Sequence, residues 1–353
     1  MIISRTPFRI SFFGGGTDYP VWYRQNGGAV LATTVDKYCY ISCRYLPPFF
    51  DHKSRVVYSK IENVKEVAEI QHPAVRAILQ EYGFHDGIEI HHDGDLPART
   101  GLGSSSSFTV GLLHCLYALR QKMPSKSQLA KEAIRIERDV LKENVGSQDQ
   151  VSASFGGLNH ITFSSNDEIN VRPVIIESQR LKSFQDHLML FFTGFSRFAS
   201  NIAKEQVQNT HKKQTELSSM FDMVQAAIDI LSSKEDIGVI GKLLHESWML
   251  KRSLTTKITN HHMDEIYEAA QSAGALGGKL LGAGGGGFML LFVRPEDQAK
   301  VRERLNHLIH VPFEFEKNGT QIVFYDQDTS ERDLKLINAC SRVDSAEEPQ
   351  ELV

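Results

Sequence analysis

Leu96-Pro97-Ala98-Arg99-Thr100-Gly101-Leu102-Gly103-Ser104-Ser105-Ser106-Ser107 leads straight into a mainly apolar run, Phe108 to Leu119. Gly101 and Gly103 have no Cβ, so the chain can turn tightly and come close to a ligand. The serines suit a helix start, where first-turn N–H groups lack a partner within the helix. Those donors, with the positive end of the helix dipole, favour bound phosphate. Phe108, Val110, Leu112, Leu113 and Leu116 recur at helical spacing, which predicts a helix over 105–119. The stretch therefore reads as a phosphate cradle at a helix N-terminus. It lacks the Gly-Lys-Ser/Thr ending of a P-loop, so it is a different way of holding a nucleotide.

The chain is 353 residues long and 41% apolar, enough for two domains that share a cleft. A net charge of -4 argues against a general nucleic-acid or membrane binder, so an anionic substrate needs a local basic pocket. No apolar run approaches the ~20 residues of a membrane-crossing helix. Met1 to Thr6 reads as a strand and not as a signal peptide. Four cysteines in a chain of this size make no disulfide framework. A reduced, cytoplasmic enzyme fits these numbers, with the oligomeric state left open, a homodimer included.

Strand-like alternation covers 2–10, 29–45, 55–59 and 88–92, and helical spacing covers 73–82 and 126–142. Strands are expected over 158–163, 170–176, 187–192 and 288–293, and strand structure over 313–325. Helices are expected over 199–231, 237–250, 264–272 and 296–308. Strand pairs mix with helices instead of alternating strictly, which favours an α+β fold over a doubly wound sheet. The polar stretch Ser164 to Asp167 divides the chain into an expected N-terminal domain, 1–165, and C-terminal domain, 166–342. The acidic tail 343–353 is expected to be disordered.

Three further segments stand out. Pro7-Phe8-Arg9-Ile10-Ser11-Phe12-Phe13-Gly14-Gly15-Gly16-Thr17-Asp18-Tyr19 ends a strand in three glycines and then offers polar groups. Glu137, followed by Gly146-Ser147-Gln148-Asp149-Gln150, places two carboxylates near one another in sequence. Such a pair can divide the holding of a cation from the taking of a proton. Gly277-Gly278-Lys279-Leu280-Leu281-Gly282-Ala283-Gly284-Gly285-Gly286-Gly287 carries more glycine than a plain turn needs. His91 and His92 are neighbours on a strand and point to opposite faces, so they do not share one metal ion.

In this order and spacing the motifs resemble the three signatures of the GHMP kinase superfamily, and they span nearly the whole chain. The resemblance implies a two-domain α+β fold with its active site in the cleft, ATP as phosphoryl donor and Mg²⁺ as cofactor. It implies ATP binding by Pro97, Gly101, Leu102, Gly103, Ser104, Ser105 and Ser106, and metal binding by Ser105 and Glu137. Asp149 would be the catalytic base, oriented by Arg9. Gly15, Gly16, Thr17, Asp18, Arg197, Gly284 and Gly285 would meet the acceptor. Lys279 is left between anion contact and an ordinary surface charge, and Ser107 is read as a helix cap.

Galactokinases carry Glu-His where this chain has Gly15-Gly16, which counts against galactose. The Gly-Gly-Gly-Thr-Asp form, Gly-Ser-Gln-Asp-Gln, and Phe192-Thr193-Gly194 with Arg197 resemble the D-glycero-D-manno-heptose 7-phosphate kinases. That branch phosphorylates the anomeric hydroxyl, and its product feeds nucleotide-heptose and surface polysaccharide synthesis. A phosphorylated acceptor needs cations, and Arg197, Lys251 and Lys257 are candidates. The alternatives are a kinase for fucose, arabinose, galactose or a mevalonate-type molecule. A catalytically silent nucleotide or sugar sensor is the reading from another class.

Overall fold

A computed structural model describes residues 1–84, 87–194 and 199–326, with Arg332 and Lys335. The expected tail 343–353 and Arg197 lie outside the described residues. In chain order the strands are β1 (Ile2–Phe13), β2 (Gly28–Tyr45), β3 (Ser54–Val57), β4 (Ile61–Val64), β5 (Ile88–Gly94), β6 (Asn159–Phe163) and β7 (Ile169–Pro173). They continue with β8 (Leu188–Gly194), β9 (Ala275–Leu280), β10 (Gly287–Val293), β11 (Ile309–His310), β12 (Phe315–Glu316) and β13 (Gln321–Tyr325). The helices are α1 (Pro20–Asn26), α2 (Pro73–Glu81), α3 (Ser104–Leu119), α4 (Lys126–Arg135), α5 (Gln148–Phe155) and α6 (Ser178–Asp186). After them come α7 (Ala199–Asn209), α8 (Gln214–Ser232), α9 (Gly238–Ser253), α10 (His261–Ser272) and α11 (Gln298–Arg304).

β1 and β2 are the spine of a mixed sheet ordered β13-β1-β2-β5-β3-β4, with β6 and β12 attached along β2 and β7 paired to β6. Their antiparallel ladder runs from Ile2 opposite Cys43 to Phe13 opposite Leu31. α3 lies on this sheet, and the Ser4 hydroxyl donates to Gly111 O at 3.0 Å from beneath it. That bond holds the middle of α3 on β1, and nearer the helix N-terminus Ser107 donates to Pro7 O at 2.9 Å. A second sheet, ordered β11-β8-β10-β9, is antiparallel throughout. Its Leu290, Phe292 and Phe288 join Phe12, Phe184 and the sheet-one residues in one buried cluster.

The sheets cross the expected boundary at 165/166. β7 pairs with β6, and the late strands β12 and β13 return to pair with β2 and β1. Polarity marked a hairpin at Ser164–Asp167, and the chain does turn there, but β7 continues the same sheet. The expected helix over 199–231 is interrupted by a tight turn at Thr210–Lys212 between α7 and α8. The expected helix over 126–142 is α4 followed by a π-helical turn, Ile136–Val140.

The start of the glycine-rich segment lies in strand β9, and its glycines serve packing. A Cβ on Gly277 would stand 1.9 Å from Gly241 O, because α9 lies directly on the strand. The loop that follows touches the phosphate cradle backbone to backbone. A Cβ on Gly101 would fall 2.5 Å from Leu281 O, and one on Gly282 would fall 2.4 Å from Gly101 Cα.

Gly282 also has a φ of +70°, so Gly282→Ala combines left-handed strain with a main-chain clash. We expect it to cost ~2 kcal/mol or more and to weaken nucleotide binding, as read by thermal unfolding and ATP titration. Wild-type melting and affinity would mean that the two loops do not bear on each other.

Candidate active site

Arg9 comes from the buried half of β1 and is 5% exposed. Its Nε and second guanidinium nitrogen donate to the two carboxylate oxygens of Asp149 at 2.8 and 2.7 Å. The remaining nitrogen donates to Gly101 O at 2.7 Å, and the Arg9 N–H donates to Leu102 O at 3.0 Å. One residue thus joins the carboxylate to the phosphate cradle. The planar fork fixes carboxylate orientation as well as charge. Asp149 is the second residue of α5, in the first turn, where the helix dipole favours an anion. A Cβ on Gly103 would lie 3.4 Å from Asp149 Oδ2, so the cradle and the carboxylate are in contact.

α3 begins at Ser104, with Gly103 as its left-handed cap. Ser105 is exposed on the first turn. It is Ser106, one position later, whose hydroxyl donates to Glu137 Oε2 at 2.8 Å. The helical turn directs this third serine, while Ser105 stays exposed, toward Glu137 in the π-helical turn after α4. Gln150 Nε2 also donates to Glu137 Oε2, at 2.5 Å. Glu137 Oε1 is buried and has no hydrogen-bond partner among the described residues. Burial pushes the Glu137 carboxyl up to about 7, against the pull of Thr109, Ser106 and Gln150.

That orphaned oxygen beside a serine hydroxyl at a phosphate-binding helix end fits a hard cation such as Mg²⁺. Among the described residues no group of three or more His, Cys, Asp or Glu could hold a metal by itself. Magnesium that binds with few protein ligands and shares phosphate oxygens needs no such group.

The remaining cradle residues have distinct tasks. Leu102 is core, and Thr100 Oγ1 donates to Pro97 O at 2.8 Å. Ser104 Oγ accepts from Arg99 N–H at 3.1 Å, and Ser107 donates to Pro7 O at 2.9 Å.

In the first motif, Thr17 Oγ1 lies 2.8 Å from both Gly14 O and Ala29 O and is wholly buried. Asp18 is likewise buried, with one carboxylate oxygen accepting from Gly16 N–H at 3.0 Å and the other from Gln148 N–H at 3.3 Å. Both residues therefore tie the glycine turn to the strand beside it and to the Asp149 segment. Burial, and after it the Asp149 charge, raises the Asp18 carboxyl above its ordinary value. Gly15 and Gly16 lie between this knot and α7 and α8, with Gln206 and Leu217 nearest to Gly16.

In the third motif, Gly284 packs on Ile258, and Gly285 N–H donates to Ile258 O at 2.9 Å. Lys279 is buried, not a surface lysine, and donates to Phe12 O at 2.8 Å. Lys251 is also buried and donates to Leu280 O and Gly282 O at 2.8 and 2.6 Å. Lys257 pairs with Glu205 at 2.6 Å. Two of the three cations considered for an acceptor phosphate are therefore already engaged, and Arg197 falls outside the described residues.

Sequence reasoning missed α5, the partnership of Gln150 with Glu137, and the bracing role of Lys251. Gln150 stood in the quoted Asp149 motif, but only a fold reveals that it turns toward α4. His91 and His92 behave as expected: His91 faces Glu89 at 3.0 Å, and His92 packs edge-on to Phe108.

Comparison with known proteins follows this geometry. Residues 66–157 match the model for the GHMP kinases N terminal domain, and residues 199–310 match that for the GHMP kinases C terminal. The chain is 29% identical to D-glycero-alpha-D-manno-heptose 7-phosphate kinase of Campylobacter jejuni, over 83% of this chain and 90% of that protein. It is 24% identical to galactokinase of Pyrococcus furiosus, over 85% of this chain and 90% of that one. A D-glycero-D-manno-heptose 1-phosphate kinase from Bacteroides thetaiotaomicron shares the fold, with a TM-score of 0.69 and 22% identity, over 92% of this chain and 100% of that one.

The raised Glu137 carboxyl has a consequence for stability. The fold favours its protonated form, so this contribution is full below the ordinary value of 4.5 and is lost as pH rises through about 7. Glu137→Gln is neutral at every pH. Without metal it should differ little from wild type near the ordinary carboxyl value and be more stable at pH 8, by on the order of a few kcal/mol. Urea unfolding across pH measures the difference; a pH-independent gap would mean that Glu137 is not held protonated. In the wild type, Mg²⁺ affinity should rise over the same interval, because the metal requires the carboxylate.

Proposed function

The chain belongs to the GHMP kinases and is an ATP-dependent sugar kinase; from that premise we propose that it phosphorylates the anomeric hydroxyl of D-glycero-D-manno-heptose 7-phosphate. The product would be the 1,7-bisphosphate, a precursor of nucleotide-activated heptose for surface polysaccharide. The observation that carries the mechanism is the three-way contact of Arg9 with both oxygens of Asp149 and with Gly101 O.

The main-chain N–H groups of Gly101 to Ser106 receive the ATP phosphates at the start of α3. Ser106 and Glu137 would hold Mg²⁺, which when bound would supply charge to offset the phosphates. Asp149 accepts the proton of the acceptor hydroxyl while Arg9 fixes its orientation. Phosphoryl transfer asks mainly for positioning and charge neutralisation, and these residues offer both within one connected network.

The acceptor contacts follow from the first and third motifs. Gly15, Gly16 and Asp18 border the acceptor hydroxyl, with Thr17 holding the turn behind them. Gly284 and Gly285 close the opposite side, and Arg197 takes the acceptor's phosphate. Similarity to the Campylobacter enzyme supports a heptose phosphate, and the glycines at 15 and 16 weigh against galactose.

ADP release measured with heptose 7-phosphate, fucose, arabinose, galactose and mevalonate tests the acceptor, with phosphorus NMR reading the product's phosphate position. The highest kcat/KM is expected for heptose 7-phosphate, with the new phosphate at the anomeric carbon; a non-anomeric phosphate or preference for another acceptor overturns it. Asp149→Asn should lower kcat by ~10²–10⁴-fold and leave ATP affinity within about twofold of wild type. Near-normal kcat would remove Asp149 as the base.

A further inference from the structure

Two buried polar atoms near the acceptor side of the cleft have no hydrogen-bond partner among the described residues: Ser11 Oγ and Gln148 Oε1. Ser11 is 7% exposed and Gln148 is 8% exposed. They come from different elements, the end of β1 and the start of α5. Both border Gly15. A Cβ built on Gly15 would stand 3.6 Å from Ser11 Oγ and 3.8 Å from Gln148 Nε2, with nothing closer. These are ordinary contact distances, and the backbone of Gly15 is not left-handed. Neither space nor backbone geometry therefore demands glycine at this position, unlike at Gly14 and Gly16 on either side, which both have positive φ.

The lack of a side chain at Gly15 leaves a small gap walled by a hydroxyl and a carboxamide. Gln148 adjoins Asp149 in the chain, and both lie in the first turn of α5. Burying polar atoms without partners costs free energy that a ligand can return by bonding to them. A sugar hydroxyl both donates and accepts; Ser Oγ does the same, and a Gln amide offers one acceptor and two donors.

We propose that Ser11 and Gln148 are specificity-determining residues that bind hydroxyls of the acceptor sugar in the room left by Gly15. This rests on the sugar-kinase reading above and extends it to residues outside the family motifs' expected contacts. Glycine at position 15 adds no side chain to that space. The glycine therefore selects an acceptor that reaches deeper, onto Ser11 and Gln148.

The test compares wild type, Ser11→Ala, Gln148→Met and Gly15→Ala by steady-state kinetics with heptose 7-phosphate and ATP, and with the panel sugars. Each variant should raise KM for the sugar by ~10-fold or more, the loss expected for a missing hydrogen bond in a site built to make it. KM for ATP and the melting temperature should stay close to wild type, which separates acceptor binding from damage to the fold. If Ser11→Ala does not fold, Gly15→Ala carries the test alone, since its added methyl fits the free protein and obstructs only the ligand. Sugar KM within twofold of wild type in the folded variants would overturn the proposal, as would equal rises for ATP and sugar. If wild type phosphorylates no sugar, the sugar-kinase reading itself fails and this proposal falls with it; the variants play no part in that outcome.

Discussion

Arg9 is the hinge of the whole arrangement because it ties β1 to two other chain segments at once. Its side chain binds Asp149 through two nitrogens and Gly101 O through the third, while its main chain binds Leu102 O. A buried guanidinium needs all its donors satisfied, and here the partners are the groups that chemistry on a phosphate would require in register. Moving any one segment leaves a buried charge short of partners, which is far more costly than losing a surface ion pair. The position of the carboxylate relative to the phosphate cradle is thus fixed by the folding energy of the protein, before any ligand contributes.

Steric fit supplies the second constraint. The cradle and the third glycine loop meet at main-chain distance, Gly101 against Leu281 and Gly282, and Gly287 against Thr100. Such contact leaves no space for intervening side chains and gives two loops the rigidity of packed strands. Asp18 does the same for the first glycine turn. Its carboxylate bonds Gly16 N–H and Gln148 N–H, and a Cβ on Gly146 would fall 1.9 Å from its Oδ2. Three loops distant in sequence are therefore joined by glycine contacts and one buried carboxylate into a single wall.

The sequence revealed the cradle, its helix, the α+β class and the carboxylate–arginine pair because each leaves a local trace: glycine before serine, helical periodicity, a motif in a known order. What escaped it depends on how distant elements meet. The glycines 277 and 278 read as a turn, but the close lie of α9 makes them strand residues. Ser105 and Ser106 are equivalent in composition, and only the rotation of α3 toward Glu137 distinguishes them. Strand pairing across positions 165 and 166 was hidden for a similar reason. Polarity at 164–167 marks a true turn, yet strand pairing carries β7, β12 and β13 back to the first sheet. Lys251 and Lys279 read equally well as solvated cations, because nothing local records that they are buried.

Those two lysines complete the electrostatic argument. Each is buried, and among the described residues each bonds only to main-chain carbonyls, Lys251 at Leu280 and Gly282 and Lys279 at Phe12. Burial depresses both ammonium groups, Lys279 to about 7, with the Arg9 charge adding to the effect in each. A protein that needed only packing there would do better with an apolar side chain. Keeping two amine-bearing side chains there instead braces the carbonyls at both ends of the glycine walls, since each can donate to them whether or not it is protonated. Phosphate charge brought to the cradle would favour the protonated forms of both lysines, so positive charge there rises with anion binding. The same residues that hold the loops in place therefore prepare the field into which an anionic nucleotide moves.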